Sequence, residues 1–191
     1  MTGRLNALLS AIDAVNAADP VRGAGGLARA VLYGQRMSDA LSAFRPGASE
    51  PLQIAARAQH IERWTMPRES HGEGRIAYLK WRKDLQHHHA TRTGGLMREA
   101  GYGEDEIARV ASLLKKERLK LDDEAQALED VICLVFLAHE APEFIAKHPD
   151  DKVRDILAKT ARKMSAEGLR AAGKLKLDER LSRLLHEALQ S

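Results

Sequence analysis

Residues 123–137 read Asp123-Glu124-Ala125-Gln126-Ala127-Leu128-Glu129-Asp130-Val131-Ile132-Cys133-Leu134-Val135-Phe136-Leu137. By composition the last seven suit a buried strand. What precedes them points the other way. Asp123 is placed to cap a helix, and Gln126, three residues on, can close a capping box. The apolar run continues that capped pattern without a break. The stretch therefore predicts a helix from Asp123 to about His139, and with it an all-α chain.

The rest of the sequence agrees with that reading. Leu5, Leu8, Leu9, Ile12 and Val15 recur at helical spacing, and Asp19-Pro20 with Gly23–Gly26 interrupts them. Leu27, Val31, Met37, Leu41 and Phe44 mark a second helix that ends at Pro46-Gly47. Ser49 is the predicted cap of a third, with Pro51 in its first turn, where a missing N–H costs nothing. That helix is expected to carry His60 and Trp64 before Pro67 closes it. A polar loop, Met66–Gly74, leads to a fourth helix from about Ile76 to His89 or beyond, weakened at Gly94-Gly95. A fifth is predicted over Glu104–Glu117, with Lys115 and Lys116 where a helix C-terminus favours positive charge. Pro149-Asp150 opens a seventh, and Leu181, Leu184, Leu185 and Leu189 line an amphipathic tail helix. Strand–helix alternation is missing throughout. The expected architecture is one helical domain: an N-terminal extension over 1–48, a core over 49–165 and a C-terminal helix over 166–191.

Composition narrows the function classes. Aromatic residues are only 4% of the chain, which argues against a base-stacking platform for single strands. The formal charge of +3 and a pI near 9.1 suit a negative partner: a phosphorylated small molecule, a nucleotide or RNA. Cys133 is the lone cysteine, so no internal disulfide forms, and the chain fits a reducing compartment. The apolar run Val131–Ala138 is far short of the roughly 20 residues that span a bilayer. No apolar leader precedes Asp13. The expectation is a cytoplasmic protein without membrane segments.

Three polar residues stand in otherwise apolar helical segments: His60, His89 and Asp130. Helix–loop–helix fills both intervals, so the three side chains can converge inside a bundle. Two imidazoles and a carboxylate suit a divalent transition metal or zinc, which acidifies water and neutralises phosphoryl oxygens. In this order the ligands resemble those of the HD-domain phosphohydrolases, whose first histidine often sits in a His-x-x-Arg helix such as His60-Ile61-Glu62-Arg63. The segment Gly101–Ile107 running into Glu124–Asp130 is similar to the stretch before that superfamily's last aspartate. The resemblance implies an HD-like core holding Mn, Fe, Zn or Ni on His60, His89 and Asp130. It implies Glu129 assisting catalysis, Arg63 and Arg82 stabilising a phosphoryl group, and hydrolysis of a nucleotide or other phosphoester. Ala90 stands where the superfamily has an aspartate beside the second histidine, so one ligand is absent from its usual place.

Gln59–Trp64, Tyr78-Leu79-Lys80-Trp81-Arg82 and Leu128–Leu137 together resemble a second family, a domain of unknown function whose members are sometimes labelled glutamyl-tRNA synthetase. Arg162-Lys163-Met164-Ser165-Ala166 and His60-Ile61 share only fragments with the synthetase signatures. No Rossmann alternation surrounds them, and chance similarity is the better reading.

The remaining candidates each have a plain alternative. Arg63, Arg82 and Lys116 can grip phosphate oxygens with guanidinium or ammonium groups, or pair with Glu62, Asp84 and Glu117. Trp64 and Trp81 can wall a pocket or pack in the core. His87, His88 and His89 point about 100° apart on a helix, so one site cannot use all three. His89 shares a face with Leu85 and Arg82, and His87 is expected to be solvated. A non-catalytic module that binds RNA or a protein partner is the alternative to the hydrolase.

Overall fold

Asp122, not Asp123, caps the deciding helix. Its Oδ1 accepts from the backbone N–H groups of Glu124 (3.0 Å) and Ala125 (3.1 Å). The capping oxygen is thus one residue earlier than expected, and Gln126 is free for another task. In the computed structural model, which describes residues 3–190, this helix is α6, Asp123–Val135. The strand-like run lies within it and beyond it. It reads as continuously apolar because α6 is buried nearly all round. Val131 and Val135 belong to one hydrophobic cluster, while Cys133, Leu134 and Leu137 belong to another.

The first cluster packs α1 (Gly3–Asn16), α2 (Arg29–Phe44), α3 (Glu50–Arg57), α4 (Gly74–Glu99) and α5 (Glu104–Lys115) against α6. Leu8, Ile12, Met37, Leu52, Ile54 and Met97 are fully enclosed there. The second gathers α7 (Ala141–Ala146), α8 (Asp150–Ala161), α9 (Ala166–Ala172) and α10 (Glu179–Gln190) on the opposite side of α6. Arg180 ties that side together: it donates to the carbonyls of Ile145 (2.7 Å) and His148 (3.0 Å) and to Asp150 (2.6 Å). The architecture is an all-α, single-domain helical bundle, and the described residues contain no strand.

Several elements differ from the sequence reading. Ser49 caps α3 as predicted, its Oγ accepting from Leu52 N–H at 3.2 Å. But α3 ends at Arg57, and His60 lies in a turn. Glu62 there takes left-handed backbone (φ 50°), and its N–H donates to Asn16 Oδ1 of α1 at 3.1 Å. A contact across 46 residues overrides the local helical pattern. The fourth helix passes straight through Gly94-Gly95 to Glu99. A Cβ on Gly94 would meet Ile107 at 3.2 Å, so its smallness brings α4 against α5. Past Val135 the chain widens into a π-helical turn, Phe136–Glu140, in which Ala141 N–H reaches back to Phe136 O. Pro142 follows, and in a regular α-helix its ring would strike the carbonyl of Ala138. Helix α7 lies outside every predicted helix, and the single C-terminal helix expected over 166–191 is two, α9 and α10, separated by residues 173–178.

Candidate functional site

The turn that carries His60 and Arg63 meets the first half of α4 beside the end of α5, α6 and α8. Between them lies a cavity of about 330 Å³. His60, Arg63, Trp81, Arg82, His89, Lys116 and Glu129 all line it, together with Tyr33, Gln59, Glu140, Thr160 and Lys163. Most of the residues singled out in the sequence are therefore brought together. Trp64 lines a wider neighbouring cavity of about 800 Å³ instead, with Arg29, Arg36 and Arg68. The two spaces share a wall of Tyr33, His60, Arg63, Trp81 and Glu140.

Asp130 lines neither cavity. It is 1% exposed, and its carboxylate is committed elsewhere. Oδ1 accepts from Ser165 N–H at 2.8 Å and from Gln126 Nε2 at 3.2 Å, and Oδ2 accepts from Ser165 Oγ at 2.5 Å. Ser165 Oγ in turn accepts from Gly168 N–H at 3.0 Å, capping α9. Asp130 thus joins α6 to the start of α9 and does not line the cavity. The Ser165 that shares a fragment with a synthetase signature has this structural role.

His60 and His89 do approach each other, with ring centroids 6.3 Å apart. His60 stacks on Tyr33 at 3.8 Å between centroids and 14° between planes. Burial, then the charge of Arg63, holds its imidazole well below the usual pKa. His89 is 3% exposed, and burial lowers its pKa to about 3, so it is neutral. Its Nδ1 lies 2.8 Å from the carbonyl oxygen of Ile61. A carbonyl only accepts, so Nδ1 carries the proton and Nε2 is left as a bare lone pair. That Nε2 is buried and has no hydrogen-bond partner, and the same holds for Oε1 of Gln59. Among the described residues no three His, Cys, Asp or Glu side chains stand at metal-ligand spacing. With Asp130 turned away and Glu129 held by a lysine, the donors present do not fit the three-ligand metal site read from the sequence.

The charges on the cavity wall fall into two kinds. Lys116, in left-handed backbone just after α5 (φ 58°), reaches Glu129 of α6 in a close ion pair, with side-chain exposures of 15% and 4%. These two satisfy each other, which leaves neither of them free for the roles read from the sequence. Arg63, Arg82 and Lys163 differ. None of them has a carboxylate within ion-pair distance among the described residues. Arg63 lies over the Trp81 ring at 4.8 Å, a cation–π contact, and burial lowers its pKa. Arg82 meets Tyr78, through a long hydrogen bond to its Oη, 3.4 Å, and a distant cation–π contact with its ring, 5.9 Å. Trp81 is fixed by its own N–H, which donates to Met66 O at 2.9 Å.

Other residues take quieter places. His87 is exposed, and His88 faces Glu62 at 3.5 Å. His71 bridges Ser70 and Asp84. Cys133 is buried, its thiol pKa pushed up to about 12 by that burial, which makes it an inert core thiol. Glu140 was not foreseen. It ends the π-helical turn at the wall between the cavities, and burial raises its pKa despite Arg29 and Arg63 nearby. The sequence signal for it was Pro142, an imino acid close behind a helical run. Tyr33 and Lys163 were also missed. Tyr33 carries no signal beyond its place in a helical stretch, and Lys163 stands out only within the fragment Arg162–Ala166 set against the synthetase signature.

The chain matches the domain of unknown function DUF4202 over residues 6–185, and it belongs to that family. No curated protein and no solved structure matches it. No helix among the described residues is long and apolar enough to cross a membrane.

Proposed function

We propose that this DUF4202 member binds a phosphorylated small molecule, a nucleotide or another phosphoester, in the 330 Å³ cavity. One observation carries the reading: Arg63, Arg82 and Lys163 line a single cavity and, among the described residues, have no carboxylate within ion-pair distance, Glu140 acting on Arg63 only from farther off, while the neighbouring Lys116 is neutralised by Glu129. Arg63 and Arg82 are half-buried beside aromatic walls, where water screens a cation less than at the open surface, whereas Lys163 is exposed and adds a more strongly screened charge. Guanidinium groups match phosphate oxygens in pairs, and Arg63 is held against Trp81 in advance of binding. The reading is one of binding. Metal-assisted hydrolysis would need both imidazoles and the Asp130 carboxylate in one coordination sphere, and Asp130 bonds to Ser165 instead.

Calorimetric titration at low salt tests this. Inorganic phosphate, pyrophosphate and AMP bind, and adenosine binds at least tenfold more weakly than AMP. Arg82→Ala lowers AMP affinity about tenfold to a hundredfold, the range expected for one charge-assisted hydrogen bond. Equal binding of AMP and adenosine, or no binding of any phosphate, would overturn the reading.

A further inference from the structure

Beyond its cations, the cavity wall carries two buried polar atoms with nothing to bind. One is Nε2 of His89 and the other Oε1 of Gln59, on residues 3% and 7% exposed. Both residues line the same space as Arg63 and Arg82. Both atoms are acceptors. For His89 this follows from its other nitrogen, which must donate to Ile61 O, and from the burial that keeps the ring neutral. Buried acceptors gain free energy from a partner that donates to them, and of the buried polar atoms without a protein partner these two lie on residues of the cavity wall. The remaining polar wall supplies charge, but the Arg63 guanidinium lies over Trp81 and gives neither acceptor a proton.

We infer that the ligand is a phosphate ester whose uncharged part carries hydrogen-bond donors, which Gln59 and His89 read while Arg63 and Arg82 hold the phosphate. This rests on the phosphate-binding reading above and adds the chemistry of the other end. Hydroxyl groups of a sugar and amino groups of a nucleobase both supply such donors. A bare alkyl chain supplies none. Filling the cavity with it leaves both acceptors dry and unsatisfied, which is how a site built to bond a hydroxyl rejects the analogue lacking it.

Four probes separate the possibilities in the intact chain: inorganic phosphate, n-pentyl phosphate, ribose 5-phosphate and 2′,3′-dideoxyadenosine 5′-monophosphate. Wild-type protein binds at least one of the last two about tenfold or more tightly than n-pentyl phosphate, the size expected of one or two added hydrogen bonds. Preference for ribose 5-phosphate assigns the donors to hydroxyl groups, and preference for the dideoxynucleotide assigns them to the base. Gln59→Leu removes most of the preference. The imidazole ¹⁵N resonance of His89 Nε2 moves with the preferred probe and stays still with n-pentyl phosphate, a readout that does not require any variant to fold. Equal affinity for all three organic phosphates overturns this inference and leaves the phosphate reading standing. Failure of every probe, inorganic phosphate included, overturns both.

Discussion

His89 shows at the level of one residue what burial does to an ionisable group. In the unfolded chain an imidazole takes up a proton near pH 6.5, but in the fold burial keeps the pKa of His89 at about 3. Between those values the unfolded state binds the extra proton, so acidification favours unfolding. The stability contributed by the neutral ring is complete above pH 6.5. It is lost by about 1.4 kcal/mol per pH unit as pH falls toward 3. His60 acts in the same direction. Urea unfolding at pH 7.0 and pH 5.5 measures this. His89→Asn keeps a donor for the Ile61 carbonyl but does not titrate, so its loss of stability across that interval is smaller than the wild type's by about 1 kcal/mol. Equal losses in the two proteins would show that the ring takes up its proton as readily in the fold as in the unfolded chain.

At the level of elements, the join between α6 and α9 sets the fate of Asp130. A Cβ placed on Gly168 would lie 2.4 Å from Asp130 Oδ1 and 2.6 Å from its Cγ, and the carboxylate cannot step aside while Ser165 and Gln126 hold it. Gly168→Ala gains about 1 kcal/mol of helix propensity in α9. Overpacking and the loss of the Ser165 bonds outweigh that, and the variant unfolds about 1–3 kcal/mol more easily in denaturant titrations. A stabilised variant would mean that α9 is not anchored through Asp130. The same join shows what was legible in the sequence. Asp130 stands out as a polar residue in an apolar helix, and Ser49 and the tail residues Leu181, Leu184 and Leu185 read correctly from local pattern, whereas Leu189 is exposed and Ala188 is buried in its place. The partner of Asp130 lies 35 residues later, in a turn that no periodicity marks. His60 was placed on a helix because Asn16, whose side chain fixes the turn at Glu62, belongs to α1. Caps, periodicity and breakers are local. Which polar groups meet is decided by packing between distant segments, so the cations and histidines of the cavity were readable as residue types, while the pairing of Lys116 with Glu129 was not.

Across the whole molecule, α6 separates two hydrophobic clusters, and the cavity is the place where groups from both sides face one space. Arg63, Arg82 and His89 come from the side packed on α3 and α5. Thr160 closes α8 on the other side, and Lys163 follows two residues after that helix. Direct polar ties from α6 to this side include the Asp130–Ser165 pair, Cys133 Sγ 4.0 Å from Thr160 O, and Gln126 Nε2 donating to Lys163 O at 3.0 Å. An anion held jointly by Arg63, Arg82 and Lys163 adds a bridge that exists only in the bound state. Ligand binding stabilises whatever it bridges, by an amount set by ligand excess over Kd. Hydrogen exchange with saturating pyrophosphate should therefore slow in α8 as well as in α4, although α8 packs in the other cluster. Lys163→Ala should abolish the slowing in α8 and keep it in α4. Protection confined to α4 and the 58–66 turn in wild-type protein would show instead that the ligand is gripped from one side of the seam, and that the second cluster packs without sensing it.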